Sequence, residues 1–307
     1  MEDLPTASAP VVVVTGANGL VGSRTCAALA GLGATVRAVV RREGAAPDLA
    51  GVEEHVGDFT DPAFATDVVV GADAVVTTVH PMGSDRETQR RVGVEGTAAL
   101  ARAARDAGVR RLVHVSTAAV YDRSPGVGDV DESSPLVGDD GNDYAVTKRD
   151  ADRALAEVAG DGLSVVLLRP PAILGRGESS VWNTLRPAEM REDPAERRAN
   201  PAATFSWVHV DDLARLAADV ASGQVLRSDQ SALGPVEDGC TAVNVTAAPA
   251  TARDYYTAVT GALGLEPEWT DEEAWTGRLV GERARGWGWE PEVGLDDALA
   301  ELRQGLA

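Results

Sequence analysis

The sequence predicts an α/β protein in which a doubly wound parallel sheet carries a smaller C-terminal lobe. Three observations predict this fold. Residues 11–14 are a run of four β-branched side chains, typical of a parallel strand buried on both faces. Three glycines follow at a G-x-x-G-x-x-G spacing, as in a tight strand–helix turn. Strand patterns then alternate with helical patterns along the chain, without an internal repeat or a long linker.

The glycine turn predicts a binding site for a dinucleotide. Gly16 permits the tight turn out of the strand, and Gly19 lets backbone N–H groups approach a pyrophosphate. Gly22 lets the helix at 20–32 pack close to the sheet, with its positive end facing the phosphates. Glycines at this spacing also occur in plain structural turns, but the place between a buried strand and an amphipathic helix favours the dinucleotide. The residues expected to contact it are Gly16, Asn18, Gly19, Leu20, Val21 and Gly22.

Composition excludes several classes of protein. The 307 residues suffice for a large core, and no apolar run approaches the roughly 18 residues of a membrane helix. The formal charge of −20 argues against nucleic acid and anionic membranes as partners. The start, MEDLPTASAP, is acidic and polar and unlike a targeting peptide, so we expect a cytoplasmic protein. Cys26 and Cys240 lack a metal-type spacing, so both are interpreted as reduced and structural, and no metal is expected.

Two arginines follow the next predicted strand, at 34–40. In dinucleotide folds an acidic residue at this point suits the 2′-hydroxyl of NAD, whereas Arg41 and Arg42 match the charge and geometry of a phosphate. The pair therefore favours NADP(H) as the cofactor, with NAD(H) as the alternative. Because arginine is the default cation of this chain, a solvated loop is the other interpretation.

The following segments continue the alternation of strands and helices. Residues 55–59 are interpreted as a strand ending in Gly-Asp, so that Asp58 either accepts a hydrogen bond from an adenine amino group or caps the helix near Pro62. A strand is predicted at 110–116, where His114 alternates into the sheet as a core residue. Further strands are predicted at 72–79, 163–169, 205–210 and 242–246, and helices at 85–107, from 143, from 211, at 251–263 and at 295–306.

Two regions interrupt the regular pattern and define the expected domains. Residues 122–143 are rich in Gly, Asp, Ser and Pro and are interpreted as a loop, and residues 175–204 as an irregular lid over a substrate. The dinucleotide-binding domain is expected to span 1–174 together with about 205–246, and the substrate-binding lobe about 175–204 and 247–307.

Three residues carry the predicted chemistry. Lys148 is the single lysine among 28 basic residues, which indicates a position that needs a compact ammonium. Tyr144 lies four residues earlier on the same predicted helix, so the two side chains share a face. A nearby ammonium favours the phenolate and lowers the pKa of a tyrosine toward useful acid–base chemistry. Thr117, at the exit of a preceding strand, is placed to hydrogen-bond a substrate oxygen that develops charge.

Together these motifs resemble those of the extended short-chain dehydrogenases/reductases, which are NAD-dependent epimerase/dehydratase-like enzymes with a Rossmann fold. The resemblance covers nearly the whole chain. It is carried by TGANGLVG at 15–22, GD at 57–58, HVSTAAVYD at 114–122, YAVTK at 144–148, LRPPAILG at 168–175, WVHVDDLA at 207–214 and the closing GWEPEVGLDDAL.

The resemblance implies roles for the matching residues. Thr117 is the Ser/Thr member, Tyr144 is the acid/base, and Lys148 lowers the tyrosine pKa while holding the nicotinamide ribose. Arg41 takes the phosphate-binding place, and the family analogy suggests a homodimer. The remaining residues expected at the cofactor are Asp58 and Phe59 at the adenine, Thr78 and Val79 at the boundary with the substrate, and Pro170 and Ile173 beside the nicotinamide.

Departures from the family pattern narrow the expected function. Ala118 and Ala119 stand where sugar-nucleotide dehydratases carry an Asp-Glu pair, which disfavours dehydration. His80, next to Val79, and Trp207 are expected to shape the substrate pocket. Arginines in the predicted lid either bind the substrate or are solvated; they are Arg176, Arg186 and Arg191.

The favoured function is an NADPH-dependent ketoreductase acting on a small molecule, with hydride transfer to a carbonyl carbon and Tyr144 as the proton donor. One alternative is an NAD(P)-dependent nucleotide-sugar epimerase or reductase, which uses the same residues for transient oxidation. Another is a non-catalytic NADP-sensing regulator on the same fold. Epimerases usually carry an acid where Arg41 stands, and regulators tend to lose the Tyr/Lys pair, so the sequence favours the ketoreductase.

Overall fold

The computed structural model describes residues 9–306, so the first eight residues of the segment considered for targeting lie outside the described part. The strands are β1 (Val11–Thr15), β2 (Thr35–Val40), β3 (Val52–Val56), β4 (Ala74–Thr77), β5 (Arg111–Val115), β6 (Ser164–Arg169), β7 (Ala172–Leu174), β8 (Arg198–Ala199), β9 (Thr204–Phe205), β10 (Trp207–His209), β11 (Cys240–Asn244), β12 (Ala250–Thr251) and β13 (Glu268–Trp269). The helices are α1 (Leu20–Gly31), α2 (Pro62–Val69), α3 (Arg86–Gln89), α4 (Thr97–Asp106), α5 (Asp143–Val158), α6 (Arg186–Glu192), α7 (Val210–Ser222), α8 (Ala252–Leu263), α9 (Glu282–Gly286) and α10 (Leu295–Leu306).

Seven parallel strands form the central sheet, in the order β11-β6-β5-β4-β1-β2-β3. The strand order reverses between β1 and β4, and ligands of open α/β sheets bind outside the carboxyl ends of the strands at such a point. Both strands end there, with Thr15 of β1 paired in register with Thr77 of β4. The predicted doubly wound Rossmann-type sheet is therefore confirmed.

The valine run of β1 is buried on both faces of the sheet, as predicted. Val12 and Val14 belong to one apolar cluster, which also contains residues of α1 and α7. Val13 belongs to a second cluster, which contains residues of α2, α4 and α5. Helices thus cover both faces of the sheet, which is why its central strands tolerate no polar alternation. His114 of β5 is 1 % exposed, and its Nδ1 hydrogen-bonds the hydroxyl of Thr77 at 2.7 Å, so its interpretation as a core residue is confirmed.

The strand predicted at 55–59 is misplaced. The structure ends β3 at Val56, and the ring of Phe64 packs directly over the following Gly57, which leaves no room for a side chain there. Asp61 caps α2 by accepting a hydrogen bond from the N–H of Ala63 at 2.8 Å, so the capping role considered for Asp58 is wrong.

The long helix predicted at 85–107 is interrupted. A π-helical segment, Arg90–Gly96, separates α3 from α4. Its glycines leave space for neighbours: a Cβ on Gly93 would lie 3.0 Å from Nδ1 of His80, and one on Gly96 would lie 2.6 Å from the side chain of Thr60. π-Helical turns inside helices often mark functional sites.

A third apolar cluster joins residues of the expected substrate-binding lobe, referred to as the second lobe, from α6, α8 and α10 to residues of β7, β9 and β10. Its centre is aromatic: Phe205 stacks on Tyr255 with ring centroids 4.5 Å apart, and Trp182 meets both rings edge-on. The lid predicted as irregular at 175–204 is partly helical, since it contains α6 and a preceding π-helical turn, Val181–Leu185. Pro187 misled the prediction, because proline is tolerated in the first turn of a helix.

The strand predicted at 205–210 is divided into β9 and β10, which pair with β12 and β7 respectively, and the other predicted elements are present with small shifts at their ends. Burial raises the pKa of both cysteine thiols, Cys26 and Cys240, to about 12, as expected of structural thiols. Among residues 9–306, no helix combines the length and the apolar character needed to cross a membrane.

Candidate active site

The glycine turn after β1 has the geometry expected from its spacing. Gly16 has a φ of +69°, a left-handed conformation that glycine adopts without strain. A Cβ on Gly16 would lie 2.7 Å from the hydroxyl of Thr78 and 2.9 Å from Val79, so these two residues pack directly on the turn. A Cβ on Gly22 would overlap the carbonyl of Gly16, which shows how closely α1 approaches the turn.

The first turn of α1 is open to an anion. Gly19 occupies the N-cap position and offers no side-chain hydrogen bond, and the first turn contains no acidic residue. The amide groups of such a turn need partners, and the helix dipole favours a negative one. Asn18 is exposed, and Leu20 and Val21 are half-buried around this end. The residues of this turn therefore fit the pyrophosphate of a dinucleotide.

The ends of β2 and β3 lie on the far side of the glycine turn. Arg41 and Arg42, directly after β2, are exposed. Asp58 accepts hydrogen bonds from the N–H and hydroxyl of Thr60 at 2.9 and 2.7 Å. The backbone bond from Thr60 lowers the pKa of Asp58 most, and the charges of Arg41 and Arg91 lower it further. The side chain of Phe59 is 7 % exposed and belongs to the sheet core.

Thr117, Tyr144 and Lys148 meet where β5 ends against α5. Thr117 follows β5, and its hydroxyl oxygen accepts a hydrogen bond from the N–H of Ala119 at 3.1 Å. Asn142 caps α5 by accepting from the N–H of Ala145, which fixes the first turn that carries Tyr144. The side chain of Thr117 lies close enough to Tyr144 to affect the pKa of its phenol, so the strand end and the helix present two hydroxyl groups to one point.

The pKa values of the pair depart from the sequence-based expectation. Burial raises the pKa of Tyr144, and the nearby side chain of Thr117 opposes that rise. The expectation that Lys148 lowers the tyrosine pKa is therefore wrong for this geometry, because the ammonium is buried and donates instead to the carbonyl of Val115 at 2.6 Å. Burial also lowers the pKa of Lys148 to about 8, which the charge of Asp152 opposes. Tyr144 is thus protonated at neutral pH.

A buried polar network that the sequence analysis missed lies beneath Lys148. Asp152 is 2 % exposed and accepts a hydrogen bond from Nε of Arg169 at 2.9 Å, and Arg169 donates to the hydroxyl of Tyr121 at 2.8 Å. Burial raises the pKa of Asp152, and the charge of Arg169 and the hydroxyl of Ser116 oppose that rise. Lys148 and Asp152 are four residues apart on α5, and this spacing is the signal in the sequence that places them on one face of the helix.

His80 lies against the ring of Tyr144, with ring centroids 5.1 Å apart in an edge-on arrangement. Its Nε2 is 3.0 Å from Oε1 of Gln89, an oxygen that also accepts from the hydroxyl of Thr147 at 3.1 Å. Because an amide oxygen only accepts, the imidazole donates through Nε2. Burial, helped by the charge of Lys148, lowers the pKa of His80 to about 4, so this wall of the site is neutral at pH 7.

Some predicted substrate residues are engaged elsewhere. Trp207 is 1 % exposed and donates through Nε1 to the carbonyl of Ala248, so it is a core residue and not part of a pocket wall. Arg176 donates to Gln304 of α10 at 2.7 Å, which assigns it to the contact with that helix. Arg186 donates to the hydroxyl of Tyr256 at 3.0 Å within the aromatic cluster of the second lobe. Arg191 is exposed at the end of α6.

The remaining predicted cofactor residues lie at the carboxyl end of β6. The carbonyl of Pro170 accepts a hydrogen bond from the N–H of Ala118 at 2.8 Å, which ties this segment to the residue after Thr117. Ile173 is half-buried in β7 and packs against the core beneath the sheet. The structure therefore brings the ends of β1, β4, β5 and β6 to one edge, with the predicted acid/base residues at its centre.

A glycine turn at the switch point of a parallel sheet, with a Tyr–Lys helix beside it, defines the class of dinucleotide-binding α/β proteins. Residues 12–224 match the NAD dependent epimerase/dehydratase family, and the chain belongs to this family of NAD(P)-dependent enzymes. The resemblance inferred from the motifs is confirmed.

Curated relatives match the chain over part of their length. A 4-hydroxy-2-methyl-3-oxo-4-farnesyl-3,4-dihydroquinoline-1-oxide ketoreductase of Stigmatella aurantiaca is 35 % identical over 176 residues, covering 54 % of this chain and 51 % of the relative. A 2-alkyl-3-oxoalkanoate reductase of Stenotrophomonas maltophilia is 30 % identical over 174 residues, covering 55 % of this chain and 53 % of the relative. The aligned region thus spans about half the length of these relatives.

Solved structures share the whole fold. A short-chain dehydrogenase/reductase superfamily protein of Agrobacterium tumefaciens, solved with bound NAD, is 23 % identical and superimposes with a TM-score of 0.75. The alignment covers 96 % of both chains. At this identity the likeness shows the fold, including the second lobe, and leaves the substrate open.

Proposed function

We propose that this chain is an NADPH-dependent ketoreductase that reduces a carbonyl group of a small molecule. The observation that carries the proposal is the convergence of Thr117, Tyr144 and Lys148 at the strand edge next to the glycine turn. The names of the two curated relatives, a ketoreductase and an oxoalkanoate reductase, support the reaction class. The dinucleotide-binding part comprises residues 1–174 with about 205–246, and the lobe formed by about 175–204 and 247–307 binds the substrate.

The reduced nicotinamide supplies a hydride to the carbonyl carbon of the substrate when the cofactor is bound. Tyr144 donates its phenolic proton to the carbonyl oxygen, and its raised pKa keeps that proton in place at neutral pH until the oxygen develops charge. Thr117 hydrogen-bonds the same oxygen and orients the phenol. Lys148 carries a positive charge below about pH 8 and would hold the nicotinamide ribose when the cofactor is bound.

Arg41 supports the preference for NADP(H) over NAD(H). It is exposed directly after β2, and its charge reaches Asp58 at the end of the next strand. Within residues 9–306 its guanidinium has neither an ion pair nor a hydrogen bond, so it is free to bind a 2′-phosphate.

Calorimetric titration of the cofactor-free protein with NADPH and NADH tests this proposal. We expect NADPH to bind at least about 10-fold more tightly, and Arg41→Ala to remove most of that difference while sparing NADH. Arg102→Ala, an exposed arginine of α4, is the control for the loss of one surface charge. Equal losses for both cofactors in Arg41→Ala would contradict the phosphate assignment.

Oxidation of NADPH in the presence of ketones tests the reaction itself. Turnover that requires Tyr144 supports the ketoreductase. If the protein carries tightly bound NAD and interconverts epimeric nucleotide sugars without net oxidation, the epimerase becomes the better assignment and the ketoreductase is rejected. Binding of NADPH with no turnover of ketones or sugars would instead support the regulator.

A further inference from the structure

Arg123 stands out because its positive charge has no protein partner. Its side chain is only partly exposed, and within the described residues 9–306 its guanidinium makes no hydrogen bond and no ion pair. Within the described residues, the guanidinium lies over the face of Trp275, with Cζ 5.6 Å from the ring centroid. Burial lowers the pKa of Arg123, and no carboxylate opposes that effect.

The missing partner is notable because the surrounding loop is acidic. Each nearby carboxylate is committed to another group. Asp122 accepts from the hydroxyl of Ser124 at 2.6 Å, and Asp129 pairs with Arg278 at 2.6 Å. Asp131 accepts from the hydroxyl of Ser133 at 2.7 Å, and Glu132 accepts from the backbone N–H of Asn244 at 2.9 Å.

The same loop supplies a carboxylate partner to Arg278, an arginine that is more exposed than Arg123 and therefore depends less on a partner. Arg278 is 68 % exposed at its side chain and nevertheless binds Asp129 through both Nε and Nη2. Arg123 is the more buried of the two and therefore pays the larger desolvation cost for its charge. A largely buried charge without a partner is costly, and a negatively charged ligand that reached Arg123 would relieve that cost.

The position of Arg123 relates it to the catalytic residues. Thr117 caps the short turn Ala118–Val120, and Arg123 follows three residues after that turn. Trp275, which lies under the guanidinium, belongs to one apolar cluster with Ala118, the neighbour of Thr117. The charge thus lies over apolar surface that begins beside the predicted oxygen-binding hydroxyl.

We propose that Arg123 is a specificity-determining residue that binds a carboxylate of the substrate, so that the substrates are oxo acids. A guanidinium forms a bidentate, charge-assisted pair with a carboxylate, so an oxo acid would supply the partner that Arg123 lacks. The apolar cluster under Arg123 suits a hydrocarbon segment between the carboxylate and the carbonyl group. This proposal rests on the proposed ketone reduction for its kinetic test.

The first experiment compares each of two oxo acids with its own methyl ester, using 3-oxohexanoate and 5-oxohexanoate with NADPH. We expect kcat/KM for at least one acid to exceed that of its ester by about 10-fold or more, mainly through KM. In Arg123→Gln this preference disappears because the acid loses its partner, while the ester is reduced as before. Arg123→Lys keeps the charge and recovers part of the preference.

Arg102→Gln serves as the matched control, since it removes an exposed arginine of α4 and should leave the preference intact. Equal kcat/KM for acids and esters in the wild-type protein would overturn the assignment of Arg123 and leave the ketoreductase proposal standing. This comparison needs no variant, so it decides the question even where Arg123→Gln does not fold.

A binding measurement separates the two proposals. Octanoate and the uncharged 1-octanol are titrated into the NADPH-saturated protein and into Arg123→Gln. If the variant loses octanoate binding and neither protein reduces a ketone, the carboxylate site is supported and the ketoreductase proposal is rejected. Octanoate that binds both proteins equally, or neither, overturns the site.

Discussion

The corner where β5 meets α5 and the contact between residues 175–186 and α10 fix their basic side chains in opposite ways. Lys148, at the corner, is 3 % exposed, and its partner is a backbone carbonyl at a strand end. Arg176, at the other contact, is 52 % exposed, and its partners Gln304 and Glu301 are side chains of the terminal helix. The position of Lys148 is set by backbone groups of a strand and a helix. The position of Arg176 depends on which side chains happen to lie near it.

The largest expected effect is at the corner. Tyr144→Phe removes the proton donor without changing the packing of the ring against His80, so we expect kcat to fall about 1,000-fold while the affinity for NADPH changes little. Steady-state kinetics and calorimetric titration measure the two quantities separately. Tyr256→Phe also removes one phenolic hydroxyl, but from the second lobe, and serves as the control. Comparable kcat in wild type and Tyr144→Phe would remove Tyr144 from the mechanism.

The glycine turn next to the corner provides the second test. Gly22→Ala places a methyl group on the carbonyl of Gly16, so α1 has to move away from the turn. We expect a loss of about 1–3 kcal/mol in the free energy of unfolding and weaker binding of NADPH. Gly31→Ala, on the same helix, meets nothing within 4 Å and should preserve or raise stability. Denaturant titration of both variants would contradict the close approach if they behaved alike.

These two tests concern features that the sequence could predict. The valine run, the glycine spacing and the Tyr–Lys pair are local patterns, and local patterns determine strand ends, helix starts and shared helix faces. The interruption at Arg90–Gly96 escaped prediction because a π-helical turn keeps helix-forming residues and depends on how His80 and Thr60 fill the space at its glycines. Helix boundaries that depend on contacts with residues elsewhere in the chain cannot be predicted from the sequence of the helix alone.

The pH dependence of the reaction tests the network under Lys148. The ammonium has a pKa of about 8, so it is charged below that pH, and we expect the reductase rate to fall as the pH rises through about 8. Asp152 raises the pKa of Lys148, so Asp152→Asn should move this alkaline limb to lower pH. The kcat–pH profile measures the shift. Glu157→Gln, an exposed carboxylate on the same helix, should leave the profile unchanged.

An unmoved alkaline limb in Asp152→Asn would show that the carboxylate serves only to hold Arg169. The sequence offers Asp152 at a suggestive spacing, yet its burial depends on Arg169 and Tyr121, which are distant along the chain. The same limit explains the substrate residues. The sequence offers residues of the types that line binding pockets, namely Trp207, Arg176 and Arg186. Only the folded chain shows that their polar groups already have hydrogen-bond partners.

The smallest expected effect is at the contact with α10. Arg176→Ala removes an exposed ion pair with Glu301 and a hydrogen bond to Gln304, which together are worth about 1 kcal/mol or less. We therefore expect a slightly lower melting temperature and an unchanged kcat/KM for the ketone. A 10-fold loss of kcat/KM at unchanged stability would mean that the guanidinium leaves α10 to bind the substrate. Arg176 would then resemble Lys148, because its main role would be to bind the substrate and not to stabilise the fold.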